Sequence, residues 1–178
     1  MEGKQVASLK NAMNYGAVIG LILIIISVLF YMFTDSLSKI QTYIGYAVLI
    51  AGIVIGAKNY RDTVLGGYIS YGQCLGSGTL IAFFSAIITA FYTYIFFTFI
   101  DASLIDVLLE QIEEQMIEKG SSDEEIEIAM SYTRKFMTPF WMSIGGLFSY
   151  TFWGFVFSLI ISFFIKRKDE SFESITDE

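Results

Sequence analysis

Uncharged runs alternate with short polar breaks along this chain, and four of the runs are long enough to matter. YGAVIGLILIIISVLFYMF, from Tyr15 to Phe33, carries no charge and comes close to the ~20 apolar residues needed to cross a hydrocarbon core. Ile40 to Ala57, Cys74 to Ile100 and Phe140 to Ile165 are likewise uncharged. The pattern predicts four membrane spans at about 15–34, 40–57, 73–100 and 139–165. The third run is long enough that it has to tilt or project past the bilayer. Lys4 and Lys10 precede the first run, but that run exceeds the ~7–15-residue core of a secretory signal and no A-x-A cleavage site follows. The first span is therefore expected to be retained. TDSLSK, between the first two runs, is only long enough for a tight hairpin.

Asp101 to Thr138 is the one sizeable polar stretch, and its periodicity predicts two amphipathic helices. In the first, Leu104, Leu108, Ile112 and Met116 fall four apart, and Gly120 supplies a C-cap. The second opens at Ser122 and Glu125, which have capping-box spacing, and continues with Ile126, Ala129, Met130, Thr133 and Met137. Pro139 predicts a kink or break at the entry to the last span, because its ring removes a backbone donor.

Composition agrees with a membrane and narrows the element to helix. Hydrophobic residues make up 54% of the 178 residues, mean hydropathy is +0.60, and a single proline favours uninterrupted helices. There is no histidine and one cysteine, Cys74. Zinc, haem and imidazole acid/base chemistry thus lose their usual ligand or catalyst, and no cofactor is expected. The net charge of −7 argues against a nucleic-acid partner, which requires a basic patch. The placement of Lys and Arg then sets an orientation. Lys4, Lys10, Lys58, Arg61, Lys166, Arg167 and Lys168 fall on one side, and Lys39, Lys119, Arg134 and Lys135 on the other. The positive-inside rule places both termini in the cytoplasm and the segment 101–138 outside.

The runs contain no Asp, Glu, Lys or Arg, which counts against a proton- or ion-coupled transporter. They do carry small residues four apart: Gly16 and Gly20, Gly52 and Gly56, Gly72 and Gly76, and Gly154, Ser158 and Ser162. Ser85, Thr89 and Thr93 form a hydroxyl stripe. Close helix packing is the expected role of the small residues, since lipid tails are as apolar as Leu. Trp141 and Trp153, with Tyr15, Tyr31, Tyr43 and Tyr60, are expected as interfacial anchors. KNYRDTVLGGYISYGQCLGSG, residues 58 to 78, interrupts the apolar pattern. It lacks the G-K-[ST] ending of a phosphate loop, so a cytoplasmic turn followed by a Gly-lined helix is its simplest reading. A lipid or anion site is the alternative.

YRD at Tyr60 to Asp62, then GGYISYGQ at Gly66 to Gln73, a long third span, GSSDEEIE, and a last span closing on a basic tail together resemble domain-of-unknown-function family 4199. These are small four-helix inner-membrane proteins found mainly in Bacteroidota. The resemblance implies a bacterial cytoplasmic-membrane protein and transfers no catalytic residue. It singles out Arg61, Asp62, Gly66, Gly67, Ser70, Gly72 and Gln73 as candidate lipid or partner contacts. Gly16, Gly20, Gly52, Gly56, Gly76, Gly154 and Ser158 are the candidate packing positions. The reading is a single all-α membrane domain, 1–178, with four transmembrane helices, both termini inside, an extracytoplasmic amphipathic hairpin and a cytoplasmic tail at 166–178. It is not expected to be an enzyme. Membrane lipid and another membrane protein or a second copy are the expected partners. An accessory or scaffold subunit of an envelope complex is the leading function, and a lipid-linked substrate carrier or flippase beside a glycosyltransferase is the alternative.

Overall fold

The structure is a computed structural model describing residues 2–33 and 39–167, with side chains described over 6–33 and 40–167. The expected turn at TDSLSK, except the backbone of Lys39, lies outside the described residues, as do the tail after Arg167 and the side chain of Lys4. The chain forms helices α1 (Glu2–Phe33), α2 (Lys39–Asn59), α3 (Tyr71–Ile95), α4 (Leu104–Glu118), α5 (Asp123–Phe136) and α6 (Pro139–Ile165). Both α2 and α3 end in a wider π-helical turn, Tyr60–Val64 and Phe96–Ile100. Backbone bonds from Leu65 N–H to Tyr60 O (3.2 Å) and from Asp101 N–H to Phe96 O (3.0 Å) close these turns. No strand occurs among the described residues.

Four segments are long and apolar enough to cross a membrane: Val6–Phe33, Ile40–Val64, Tyr71–Ile100 and Pro139–Ile165. The chain is an all-α, multi-pass membrane protein. Its first helix starts well before Tyr15, because nothing in KQVASLKNAMN is a helix breaker. Pro139 occupies the first position of α6, where a missing N–H costs nothing. The expected break therefore falls between α5 and α6.

Contacts divide the chain into two compact units, Met1–Ile88 with Phe148–Glu178, and Thr89–Leu147. In the first, the buried faces are lined largely by small residues. α1 buries Ala12, Gly16, Ile19, Gly20 and Leu23, and α2 buries Gly45, Leu49, Ile53, Gly56 and Ala57. α3 buries Cys74, Ser77, Gly78, Ile81, Ala82, Ser85 and Ala86, and α6 buries Gly154, Ser158, Ile161, Ser162 and Ile165. The bulky side chains Leu21, Ile25, Phe155, Phe163 and Phe164 point outward instead. Hydrocarbon rewards no burial of Leu over Phe, so backbone approach decides which face turns inward.

The approach is tight around α3. A methyl added at Gly16 would lie 2.6 Å from Phe84 Cβ and 2.9 Å from the Ile81 carbonyl oxygen, and one at Gly20 would lie 2.9 Å from Ile88 Cβ. At Gly56 it would reach Ile81 Cδ1 at 2.5 Å. A methyl at Gly154 would overlap Ala82 Cβ, and one at Gly78 would overlap the Ser158 hydroxyl. α1, α2 and α6 thus all press on α3. Gly52 faces the flexible end of Ile19. Tyr46 adds an aromatic contact between α2 and α6, with ring centroids 5.9 Å from Trp153 and 5.7 Å from Phe157.

Gly72 and Gly76 depart from the expected packing. Both are exposed, and an added methyl at either would meet nothing within 4 Å. The inward face of α3 runs through Cys74, Ser77, Gly78 and Ile81, so the close-approach glycine is Gly78, two residues on. Tyr60 differs too, being buried and not an anchor.

In the second unit, α4 and α5 form the expected hairpin. Gly120, at φ +77°, lets the chain reverse, with Gly120 N–H donating to Ile117 O (2.9 Å) and Ser121 N–H to Met116 O (3.1 Å). Ser122 N–H donates to Glu125 Oε2 (2.9 Å) and Glu125 N–H to Ser122 Oγ (3.4 Å), completing the capping box. That backbone N–H holds the Glu125 carboxyl below the usual carboxylate range. Leu109 and Met130 are the buried residues of the pair. Leu104, Leu108, Ile112 and Met116 are only half-buried, so the α4 stripe is broader than its four-residue repeat suggests.

Close approach makes opposite predictions for two glycines. Gly154→Ala should lower thermal stability in detergent, since overpacking costs about 1–3 kcal/mol. Gly76→Ala should leave it unchanged or raise it, because Ala is favoured over Gly in a helix by up to ~1 kcal/mol. Melting curves of the two variants beside the parent protein check both signs.

Candidate functional site

The seven candidate contacts run from the π-helical turn that ends α2 to the first turn of α3, and the structure gives most of them a part in building the turn. Gly66 and Gly67 have φ +73° and +98°, the left-handed region that side chains rarely enter. Gly67 N–H donates to Arg61 O at 2.9 Å, folding the loop back on the π-helical turn. Ile69, which follows, is almost fully buried. It pairs with the second residue beyond α6: Ile69 N–H donates to Arg167 O (3.1 Å) and Arg167 N–H to Ile69 O (3.0 Å). This two-bond antiparallel bridge ties the loop to the end of the last span.

Ser70 and Gln73 start α3. Ser70 N–H donates to Gln73 Oε1 (3.0 Å), and Gln73 N–H donates to Ser70 Oγ (3.3 Å). The pair is a capping box of the S-x-x-Q form, which satisfies two otherwise orphaned backbone donors. The spacing was available in the sequence as a helix start. Tyr71, the first helical residue, donates its hydroxyl to Leu159 O of α6 at 3.2 Å. This contact has no sequence signal, since its partners are far apart in the chain. Gly72 is exposed, and its missing side chain is not required by any neighbour.

Arg61 and Asp62 face each other. Arg61 Nε lies 2.7 Å from Asp62 Oδ1 and Nη2 lies 3.1 Å from Oδ2, a two-pronged pair. Their side chains are 19% and 53% exposed. Lys58 and Arg167 also act coulombically on Asp62. Asn11 of α1 donates its side-chain N–H to Gly56 O at 3.1 Å. It therefore sets Lys10 beside the same end of α2, so Lys10, Lys58, Arg61, Lys166 and Arg167 gather at one end of this unit. The loop is its structural clasp, edged with positive charge.

The hydroxyls farther along α3 bond to their own helix. Ser85 Oγ donates to Ala82 O (2.8 Å) and Thr93 Oγ1 to Thr89 O (2.9 Å). Ser85 is fully buried, with Gly16 of α1 lying over it. Cys74 is a buried free thiol. Its neighbour Ser162 has no well-directed hydrogen bond, and neither does Ser77. No group of three or more His, Cys, Asp or Glu suited to a metal ion occurs among the described residues.

The clasp and the ion pair separate cleanly by mutation. Ser70→Ala should destabilise by ~1 kcal/mol, the usual worth of an N-cap, whereas Arg61→Ala should change stability by no more than about 0.5 kcal/mol, the lower part of the range for exposed pairs. Chemical unfolding in mixed micelles reads both, and equal losses would mean that Arg61 carries more of the fold than its pairing accounts for.

No curated protein and no solved structure matches the chain. One family model does, described as protein of unknown function (DUF4199), over residues 14–167. That match takes in the first membrane-crossing segment from Asn14 onward, the other three in full, the hairpin and the clasp, and the chain belongs to this family.

Proposed function

We propose that this protein is a non-enzymatic accessory or scaffold subunit of an envelope complex in a bacterial cytoplasmic membrane. Both termini lie in the cytoplasm, and the α4–α5 hairpin lies on the far side. The observation that carries the reading is the use made of the family motif: Gly66, Gly67, Ser70 and Gln73 turn the chain and cap α3. The motif's chemistry is thereby directed at the protein's own backbone. Orientation is supported by Lys10, Lys58, Arg61, Lys166 and Arg167 gathering at one end, which the positive-inside rule places in the cytoplasm. The hairpin's ten acidic residues against three basic ones, counted over Asp101 to Thr138, give its water-facing side a strong negative field for a partner.

A lipid carrier would use Arg61 for a headgroup phosphate and the hydroxyls of Ser85, Thr89 and Thr93 as a route. Arg61 is engaged by Asp62, and Ser85 is sealed beneath α1. Both observations favour the scaffold.

Mild-detergent purification after cross-linking in intact cells should recover one membrane protein in stoichiometric amount. Charge reversal at Glu110, Glu114 and Glu118 should reduce that recovery severalfold. A solitary monomer under the same cross-linking would contradict the proposal.

A further inference from the structure

Helix α5 has two apolar faces, and α4 accounts for one. Ile126 and Met130 line an open groove of about 500 Å³ with Glu113 and Ile117 of α4, and Met130 is buried. Ile128, Tyr132 and Phe136 recur every fourth residue on a different face, where they are 54%, 60% and 60% exposed. A helix surface repeats at that interval, so the three form a continuous row.

The row does not stop where α5 ends. The Phe136 ring meets Trp141 edge-on with centroids 5.8 Å apart, and Trp141 meets Phe140 at 5.7 Å. The aromatic surface therefore passes across Pro139 into the first turn of α6, itself the start of a membrane-crossing segment. Phe99 and Ile100, at the close of the α3 segment, are exposed as well. Tryptophan and tyrosine rings at such a position favour the headgroup zone of a bilayer.

Charge is graded along the same helix. Asp123, Glu124, Glu125 and Glu127 occupy its beginning, and Arg134 and Lys135 its last turn, next to α6. Arg134 lines the groove with Glu113, Asp123 and Glu127. Lys135 instead borders the row, with Nζ 5.5 Å from the centroid of the Tyr132 ring. A ring set into the acyl boundary beside an ammonium at phosphate level is how an amphipathic helix holds to a membrane surface. A soluble protein covering this row would have to follow it past Trp141 into the bilayer. Lipid meets no such obstacle.

We propose that α5 is an interfacial helix whose Ile128, Tyr132 and Phe136 row rests in the headgroup region of the leaflet where α6 begins. Its occupant is phosphate-bearing lipid, with Lys135 on the phosphate and the acidic first turn lifted toward water. The proposal leaves the groove face of the hairpin open to a protein, so it stands whether or not the scaffold reading does.

The test uses full-length protein in phosphatidylglycerol-containing vesicles, with Trp141→Phe and Trp153→Phe as background and one tryptophan returned by Tyr132→Trp. Phe136→Trp serves as an independent second probe, and Glu127→Trp as the control on the groove side. Lipid brominated near the headgroup end of its acyl chains should quench the probes at 132 and 136 about twofold more than that at 127, as expected for rings set about 5–10 Å into the boundary. Aqueous iodide should show the reverse order. Quenching of 132 and 136 by iodide but not by brominated lipid would overturn the proposal, leaving the row in water. Protection from both quenchers would overturn it in favour of a protein cover, a second copy if protection fades as the protein is diluted in lipid.

Discussion

Close backbone approach around α3 is the constraint on which the membrane-embedded part of the first unit depends. In water, a helix turns its large apolar residues inward because burial removes them from solvent. In hydrocarbon that gain disappears, and helices hold together by how near they come. The inward faces are accordingly built of Gly, Ala, Ser and Cys with some Ile and Leu, while most phenylalanines look outward, Phe84 and Phe157 packing against the core. Gly16, Gly56, Gly78 and Gly154 mark where three neighbours touch α3. Even the hydroxyls conform, Ser85 and Ser158 turning back on carbonyls of their own helices.

What packing does within the membrane, the clasp does at one of its faces. The chain has to leave α2, reverse and begin α3, and it does so with two left-handed glycines, a buried isoleucine and a capping box. The bridge from Ile69 to Arg167 carries the same loop to the last span. First and last helices are thus gathered at the end where the basic residues collect. A motif that resembles a ligand cradle in the sequence is, in the folded chain, mainly a joint. The Arg61–Asp62 pair is the part of it that faces outward.

The spans and the hairpin were legible because they rest on local physics: uncharged length for the four runs, S-x-x-E spacing at Ser122, and a glycine stop at Gly120. Ser70 and Gln73 offered an equally local signal, the S-x-x-Q spacing of a capping box, which falls just before the continuous apolar stretch that starts at Cys74. Other features had no local signature. Glycines spaced four apart announce a face but not the direction it points, which is why Gly76 lies exposed while Gly78 meets Ser158. The Ile69 to Arg167 bridge and the Tyr71 to Leu159 bond join residues far apart in the chain, the second pair 88 positions. The π-helical endings of α2 and α3 carry no sequence signal of their own.

All of this presumes oil as the solvent for α1, α2, α3 and α6. The most direct measurement is sedimentation of the purified protein as amphiphile is withdrawn. With most phenylalanines outward and small residues inward, the protein should remain monodisperse above the critical micelle concentration and precipitate below it. A sharp, concentration-independent monomer boundary in plain buffer would contradict the account.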